Sequence, residues 1–291
     1  MNVSDILIDA VKEGLQHIEN AYQQNELPLT SKGTHTETAL ADLKVGHVVT
    51  TALRSRWKGA RLLVEETAPT FVDLRAYDLV VDPIDSTRGL LHNLPGTGCA
   101  IVQLVNGVPV QSCIGQITTT SGKTRFLHDI ICGCTGKNGS CFDGRKKERR
   151  YRASFRTAPN EFIVCVEMDA FDTSPKNFTD GFRIAEELMP PKGKARAIRM
   201  FGSSSFGFVA VSRGSLDIFT GSRKPWDYLP GIPLLIGSGA SYFFYTDRSG
   251  NLRICAAGSR GALAYAKEVH LQAGMKILET DPVMLSVAAS V

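Results

Sequence analysis

Two apolar runs, residues 99–105 and 108–117, meet at Asn106-Gly107. An Asn-Gly step accepts positive φ at both central positions of a tight turn, so the two runs must fold back as a β-hairpin. Short apolar stretches separated by Gly-rich turns continue to about residue 157. The front of the chain is therefore expected to carry an antiparallel sheet. Ahead of the hairpin, Leu7, Val11, Ile18 and Tyr22 recur near helical spacing. Residues 23–36, with Pro28 and Gly33, read as a loop, and residues 39–54 as a second helix with Ala41, Val45, Val48 and Ala52 on one face. Residues 61–65 and 79–82 read as short strands, the second stopping at Pro83, which has no ladder hydrogen bond to donate.

Beyond residue 157 the pattern changes. Strands at 162–166, 197–201, 216–219 and 241–246 alternate with helices at 180–189, 203–212 and 226–235. Such alternation predicts an α/β layer. The fold class is thus α+β in front and α/β behind, and two units are expected, 1–157 and 158–291. The chain shows no repeats and no low-complexity tract.

Its 291 residues and 43% hydrophobic content supply an ordinary core. A net charge of +4 requires neither nucleic acid nor an anionic membrane as partner. No apolar run reaches 18 residues, so no membrane span is predicted. The first residues carry acids within their apolar stretch, unlike a secretory signal. With seven irregularly spaced cysteines, this predicts free thiols in a reducing, cytoplasmic setting. Cys132, Cys134 and Cys141 lack a fourth ligand at zinc spacing, so they are read as buried or half-buried thiols.

Acids at strand ends carry the chemistry: Glu65-Glu66, Asp82 and Asp85. Proline between Asp82 and Asp85 bends the chain so that both carboxylates and the Ile84 carbonyl can face one point. Hard cations take such oxygen ligands, and bridging carboxylates can hold two of them. The backbone N–H groups of Ser86 and Thr87 follow where a helix can begin, and a helix start attracts phosphate. Carboxylates ~4 Å apart repel by ~4 kcal/mol at an effective dielectric near 20, so the cluster needs cations or raised pKa values.

Val64-Glu65-Glu66, Asp82-Pro83-Ile84-Asp85-Ser86-Thr87 and Pro225-Trp226-Asp227 together resemble the three signatures of the inositol monophosphatase-like phosphatases. Gly202-Ser203-Ser204 resembles that family's substrate-side turn, and the likeness runs from about residue 36 to 240. The resemblance implies a layered αβαβα sandwich of the sugar-phosphatase type. It implies a magnesium-dependent, lithium-sensitive hydrolase for a small phosphate monoester, often a homodimer. Glu65, Asp82 and the Ile84 carbonyl would hold a first magnesium, and Asp82, Asp85 and Asp227 a second. Asp42 matches a third, weaker metal position, although on its own it reads as a solvated helix residue. Thr87 with Glu65 would orient and deprotonate the attacking water, while Ser86 and Thr87 amides cradle the phosphate. Gly202, Ser203, Ser204 and Thr220 would face the substrate, with Asp169 on a neighbouring loop.

The sequence departs from the family pattern at four points. Val64 stands for a Gly, a β-branched residue that forbids φ > 0 and would shift Glu65. Ser86 stands for a second Gly, tolerable with a helical backbone. Thr220 replaces a sugar-binding Glu, and Gly46 an acid four positions after Asp42. Arg88 leans toward the branches that act on 3′(2′),5′-bisphosphate nucleotides or histidinol phosphate. A binding protein with weakened turnover is the alternative of another class. The basic run from Arg145 to Arg152 reads as a solvated hairpin tip after Asp143-Gly144.

Overall fold

A computed structural model describes residues 2–23, 38–91, 96–119, 126–135, 139–146, 149–167, 175–222 and 224–279. Residues 24–37, Asp169 and Lys147-Glu148 of the basic run lie outside the described residues, as does the side chain of Arg88.

The chain opens with α1 (Val3–Gln23) and α2 (Thr38–Arg56). Strands β1 (Leu62–Val64) and β2 (Leu79–Asp85) pair in parallel. A short helix, α3 (Thr87–Leu91), precedes the hairpin of β3 (Gly98–Val105) and β4 (Val108–Thr119). Asn106 and Gly107 take φ of 53° and 82°, the left-handed pair the turn demands. β5 (Phe126–Cys134), β6 (Ser140–Asp143) and β7 (Arg150–Tyr151) complete a seven-stranded sheet in sequence order, antiparallel from β2 onward. The expected strand end at Pro83 is not seen. β2 runs on to Asp85, because its register with β3 shifts between Asp82 and Asp85 and the ladder asks no N–H of the proline.

The second sheet contains β8 (Ile163–Val166), β9 (Ala197–Arg199), β10 (Ile218–Gly221), β11 (Ser241–Thr246), β12 (Leu252–Ala257) and β13 (Lys276–Ile277). Its order is β13-β11-β12-β10-β8-β9, parallel among β10, β8 and β9 and antiparallel elsewhere. Its helices are α4 (Pro175–Leu188), α5 (Ser204–Ser212), α6 (Pro225–Tyr228), α7 (Gly231–Ser238) and α8 (Arg260–Gln272). The single helix expected over 226–235 is two, because Pro230 interrupts it and becomes the N-cap of α7.

Hydrophobic clusters define the layers. Ile6, Leu7, Val11, Leu15 and Ile18 of α1 join Val45, Val49 and Leu53 of α2 against one face of the first sheet. Each fully buried aliphatic side chain here contributes ~1.5–3 kcal/mol. Phe208 and Val211 of α5 and Ile232 and Leu235 of α7 lie between the sheets, against Val80 and Val102 in front and Phe219 and Ile254 behind. Ile184 and Leu188 of α4 and Ala262, Ala266 and Val269 of α8 close the outer face of the second sheet. The order is therefore αβαβα, as the resemblance implied. The middle layer is tight: a Cβ on Gly133 of β5 would lie 2.5 Å from the backbone of Pro233 and Leu234.

The described residues of the basic run, Arg145, Lys146, Arg149, Arg150 and Arg152, are exposed along the β6–β7 hairpin. Asp143 ties the tip by accepting the N–H groups of Arg145 and Lys146 at 2.8 and 2.9 Å. Six of the seven cysteines are buried, Cys134 is half-buried, and all are free thiols.

Candidate active site

Register explains why acids distant in sequence meet. Val64 pairs with Val81 in the parallel β1–β2 ladder, so the next residues, Glu65 just past the carboxyl end of β1 and Asp82 in the last half of β2, stand side by side. Carboxyl ends of parallel strands are where ligands of α/β sheets gather. Glu65 opens a single 3₁₀ turn, Glu65–Thr67, while Asp82 is only 2% exposed. Val64 is extended at φ −117° and ψ 134°, so the valine needs no positive φ and introduces no strain before Glu65.

Asp85 reaches across to the middle layer. Its Oδ2 accepts the Ser205 amide at 2.6 Å and lies 2.8 Å from the Ser203 hydroxyl. Ser203 is also the N-cap of α5, accepting the Phe206 amide at 3.1 Å. A carboxylate at a helix start is favoured by the orphan N–H groups and the helix dipole. This corrects the reading of Ser203 in the Gly202-Ser203-Ser204 turn as a substrate contact. Ser203 is 1% exposed and holds Asp85, and Ser204 Oγ accepts from the Ser222 hydroxyl at 2.8 Å; Gly202 alone of the three is exposed, at φ 68°.

Asp227 is the third residue of α6, which packs against β2, and its Oδ2 accepts the Lys224 amide at 3.0 Å. Capping leaves Asp227 close enough to Glu65 and Asp82 to raise the pKa of both. Trp226 rests on the middle core.

Asp42 corrects a second reading. It is not solvated: it is 7% exposed on α2, with Oδ1 3.1 Å from the Thr87 hydroxyl. The same hydroxyl lies 3.1 Å from the Ile84 carbonyl. The Thr87 hydroxyl is thus partnered with Asp42 and the Ile84 carbonyl.

Ser86 departs from the helical backbone expected of it. Its φ is 66°, the left-handed region in which a glycine would be free of strain. Thr220 is the third correction, because it does not face this site. It is 1% exposed, with Oγ1 2.9 Å from Tyr245 Oη and 2.8 Å from His270 Nε2 in the outer layer.

Electrostatics confirm the crowding. Burial, then Glu65, Asp85 and Asp227, pushes the Asp82 carboxyl well above the carboxylate range. Burial and then Asp227 push Glu65 up to about 8, and burial with Glu66 pushes Asp42 up to about 7. Burial raises Glu66 as well, and it raises Asp85 against the opposing pull of Ser205 and Ser203. Asp82 Oδ1 and Glu66 Oε2 are buried without a hydrogen-bond partner. An all-oxygen donor set with orphaned, mutually repelling oxygens fits a hard divalent cation. Among the described residues no three acids already enclose one ion-sized point.

A five-layer sandwich with acids collected at strand ends beside a helix start is that of a metal-dependent phosphatase. The chain matches the inositol monophosphatase family model over residues 1–279, and it belongs to that family, whose members are phosphoric monoester hydrolases. It is 22% identical over 240 residues to inositol monophosphatase 1 of Solanum lycopersicum, covering 81% of this chain and 79% of that one. It is 23% identical to the inositol-1-monophosphatase of Mesorhizobium japonicum over 258 residues, 86% of each chain. The solved inositol monophosphatase from Anabaena superposes with a TM-score of 0.68 at 19% identity, over 92% of this chain and 94% of that one.

Proposed function

We propose that the protein hydrolyses a small phosphate monoester, such as a sugar, cyclitol or related phosphate, with two magnesium ions. Glu65, Asp82 and the Ile84 carbonyl would hold the first ion, and Asp82, Asp85 and Asp227 the second. Bound magnesium supplies positive charge to the phosphate oxygens and to the departing alkoxide. The chain's own groups orient the reaction. Ser86 and Thr87 amides open α3 and receive the phosphate oxygens. Thr87 accepts a proton from the attacking water as its own hydroxyl proton passes toward Asp42, 3.1 Å away. The water oxygen forms the new bond to phosphorus, the ester P–O bond breaks opposite it, and the leaving oxygen takes up a proton from solvent water. Seven free thiols fit a reducing compartment such as the cytoplasm. Lithium inhibition and a homodimer in solution belong to the same reading.

The observation that supports it is that Glu65, Asp85 and Asp227 all push the Asp82 carboxyl up while Asp82 Oδ1 is buried without a hydrogen-bond partner. A panel of phosphate esters assayed for released phosphate, with and without magnesium, tests it. Magnesium-dependent release from at least one ester, abolished in a folded Asp85→Asn variant, is expected. Metal binding with no release from any ester would leave the binding-protein alternative standing instead.

A further inference from the structure

Between α4 and the outer face of the second sheet lies a narrow cavity of about 20 Å³ that the reaction above does not use. Its charged lining is Glu167, just past β8, Asp180 on α4, and Asp247 and Arg253 flanking the β11–β12 turn. Thr220 and Tyr245 form a neutral wall, their hydroxyl oxygens 2.9 Å apart. A space of this size takes one water-sized body.

Charge around the cavity is unevenly settled. Asp247 is saturated: it accepts Arg253 Nε at 3.2 Å and the amides of Ser249 and Asn251 at 3.0 and 2.8 Å. That ion pair is buried and neutral as a unit. Glu167 and Asp180 bring two further carboxylates, and among the described lining residues Arg253 is the only cation. Asp180 is 4% exposed. Its Oδ2 accepts the Arg248 amide at 3.0 Å, whereas Oδ1 is buried without a hydrogen-bond partner. A water would give Oδ1 a proton to accept but would leave the charge unanswered, and an unpaired buried carboxylate is costly. A cation meets both demands.

Size and donors choose the ion. Among the described residues no three acids enclose one point, and magnesium, which keeps several of its own waters, needs more room. Potassium and ammonium are close to water in radius, ~1.4 Å, and are met by oxygens that replace their hydration shell.

We infer that this cavity is a monovalent-cation site, for potassium or ammonium, in which the ion joins Asp180 of α4 to Glu167 at the end of β8. The Glu167 amide donates to the Thr220 carbonyl at 2.8 Å, so the ion pins α4 onto the parallel β8–β10 pair.

The test uses the full chain with saturating magnesium, which keeps the catalytic acids occupied in every sample. In ~100 mM potassium chloride the melting midpoint of the wild type is expected about 3 °C above that in choline chloride of equal concentration, the linkage for a site of ~10 mM affinity. Asp180→Asn, which keeps an acceptor for the Arg248 amide but removes the charge, should abolish the difference. Asp73→Asn, the same change at an exposed acid on the other half of the molecule, should keep it. Crystals grown with rubidium chloride should show an anomalous peak beside Asp180 Oδ1, and this map decides alone should Asp180→Asn fail to fold. Equal midpoints in the two salts, a difference that survives Asp180→Asn, or a peak with no anomalous signal, which is water, overturns the cation site.

Discussion

The molecule buries two polar clusters on opposite sides of its second sheet, and they are built on opposite principles. In the outer layer, His270 Nδ1 sits 2.7 Å from the Ala266 carbonyl, its Nε2 takes the Thr220 proton, and Thr220 takes the Tyr245 proton. Each donor meets an acceptor and no net charge is buried, so burial pushes the imidazole pKa down to about 4 without leaving an orphan. In the acid cluster, two carboxylate oxygens have no hydrogen-bond partner, and neighbouring acids raise both Glu65 and Asp82. A satisfied buried network adds stability and fixes the fold, whereas a frustrated one stores a demand for a ligand. The contrast marks which cluster is structural and which is chemical.

Substitutions break the contrast most sharply. Asp82→Asn should lower phosphate release by at least ~10²-fold, while the metal-free protein becomes no less stable, since one of several repelling charges is gone. Phosphate assay and thermal melting on the same sample read both effects. Thr220→Val should do the reverse. It strands His270 Nε2 and the Tyr245 hydroxyl at a cost of ~1–3 kcal/mol, and turnover of the remaining folded protein persists. Urea titration measures the loss, and a kcat collapse in Thr220→Val would restore Thr220 to the active site.

The two clusters also respond to pH with opposite sign. Asp42 and Glu65 have folded pKa values raised from 3.8 and 4.5 to about 7 and about 8. Between pH 4 and 8 the native state therefore binds more protons than the unfolded state, and metal-free stability falls as pH rises through that window. His270 is depressed from 6.5 to about 4, so below pH 6.5 the unfolded state binds more protons, and stability falls as pH drops toward 4. Each group contributes a slope of at most ~1.4 kcal/mol per pH unit. Denaturant midpoints from pH 4 to 9 should show the acid slope disappear when saturating magnesium is present and shrink in Asp42→Asn/Glu65→Gln, where Asp82 and Glu66 stay raised, while the low-pH slope disappears in His270→Phe. The smallest effect is expected at Ser86, where Ser86→Gly relieves a left-handed backbone and should raise stability by ~1 kcal/mol.

Much of this was legible in the sequence where local chemistry decides. Asn106-Gly107 requires positive φ in any context, so its hairpin stands where it was expected. The alternation behind residue 157 became strands and helices because each short apolar run had a sheet or a helix face to fill. What was not legible depends on long-range direction. Nothing local says that Thr220 points to the outer layer, because in a strand one residue of slip exchanges the two faces, and Phe219 takes the inner one. Asp42 read as solvated because its partner, Thr87, lies 45 residues away. Ser203 read as a substrate contact because the carboxylate it holds belongs to the other sheet. The strand β12 and the helix α8 escaped the sequence reading altogether.

Calorimetric titration of the metal-free protein with magnesium at pH 8 tests the central claim most directly. The account predicts heat of binding in the wild type, lost or weakened at least ~10-fold in a folded Asp82→Asn variant, because the proposal makes Asp82 the ligand shared by both ions. Equal magnesium binding by Asp82→Asn and wild type would contradict it.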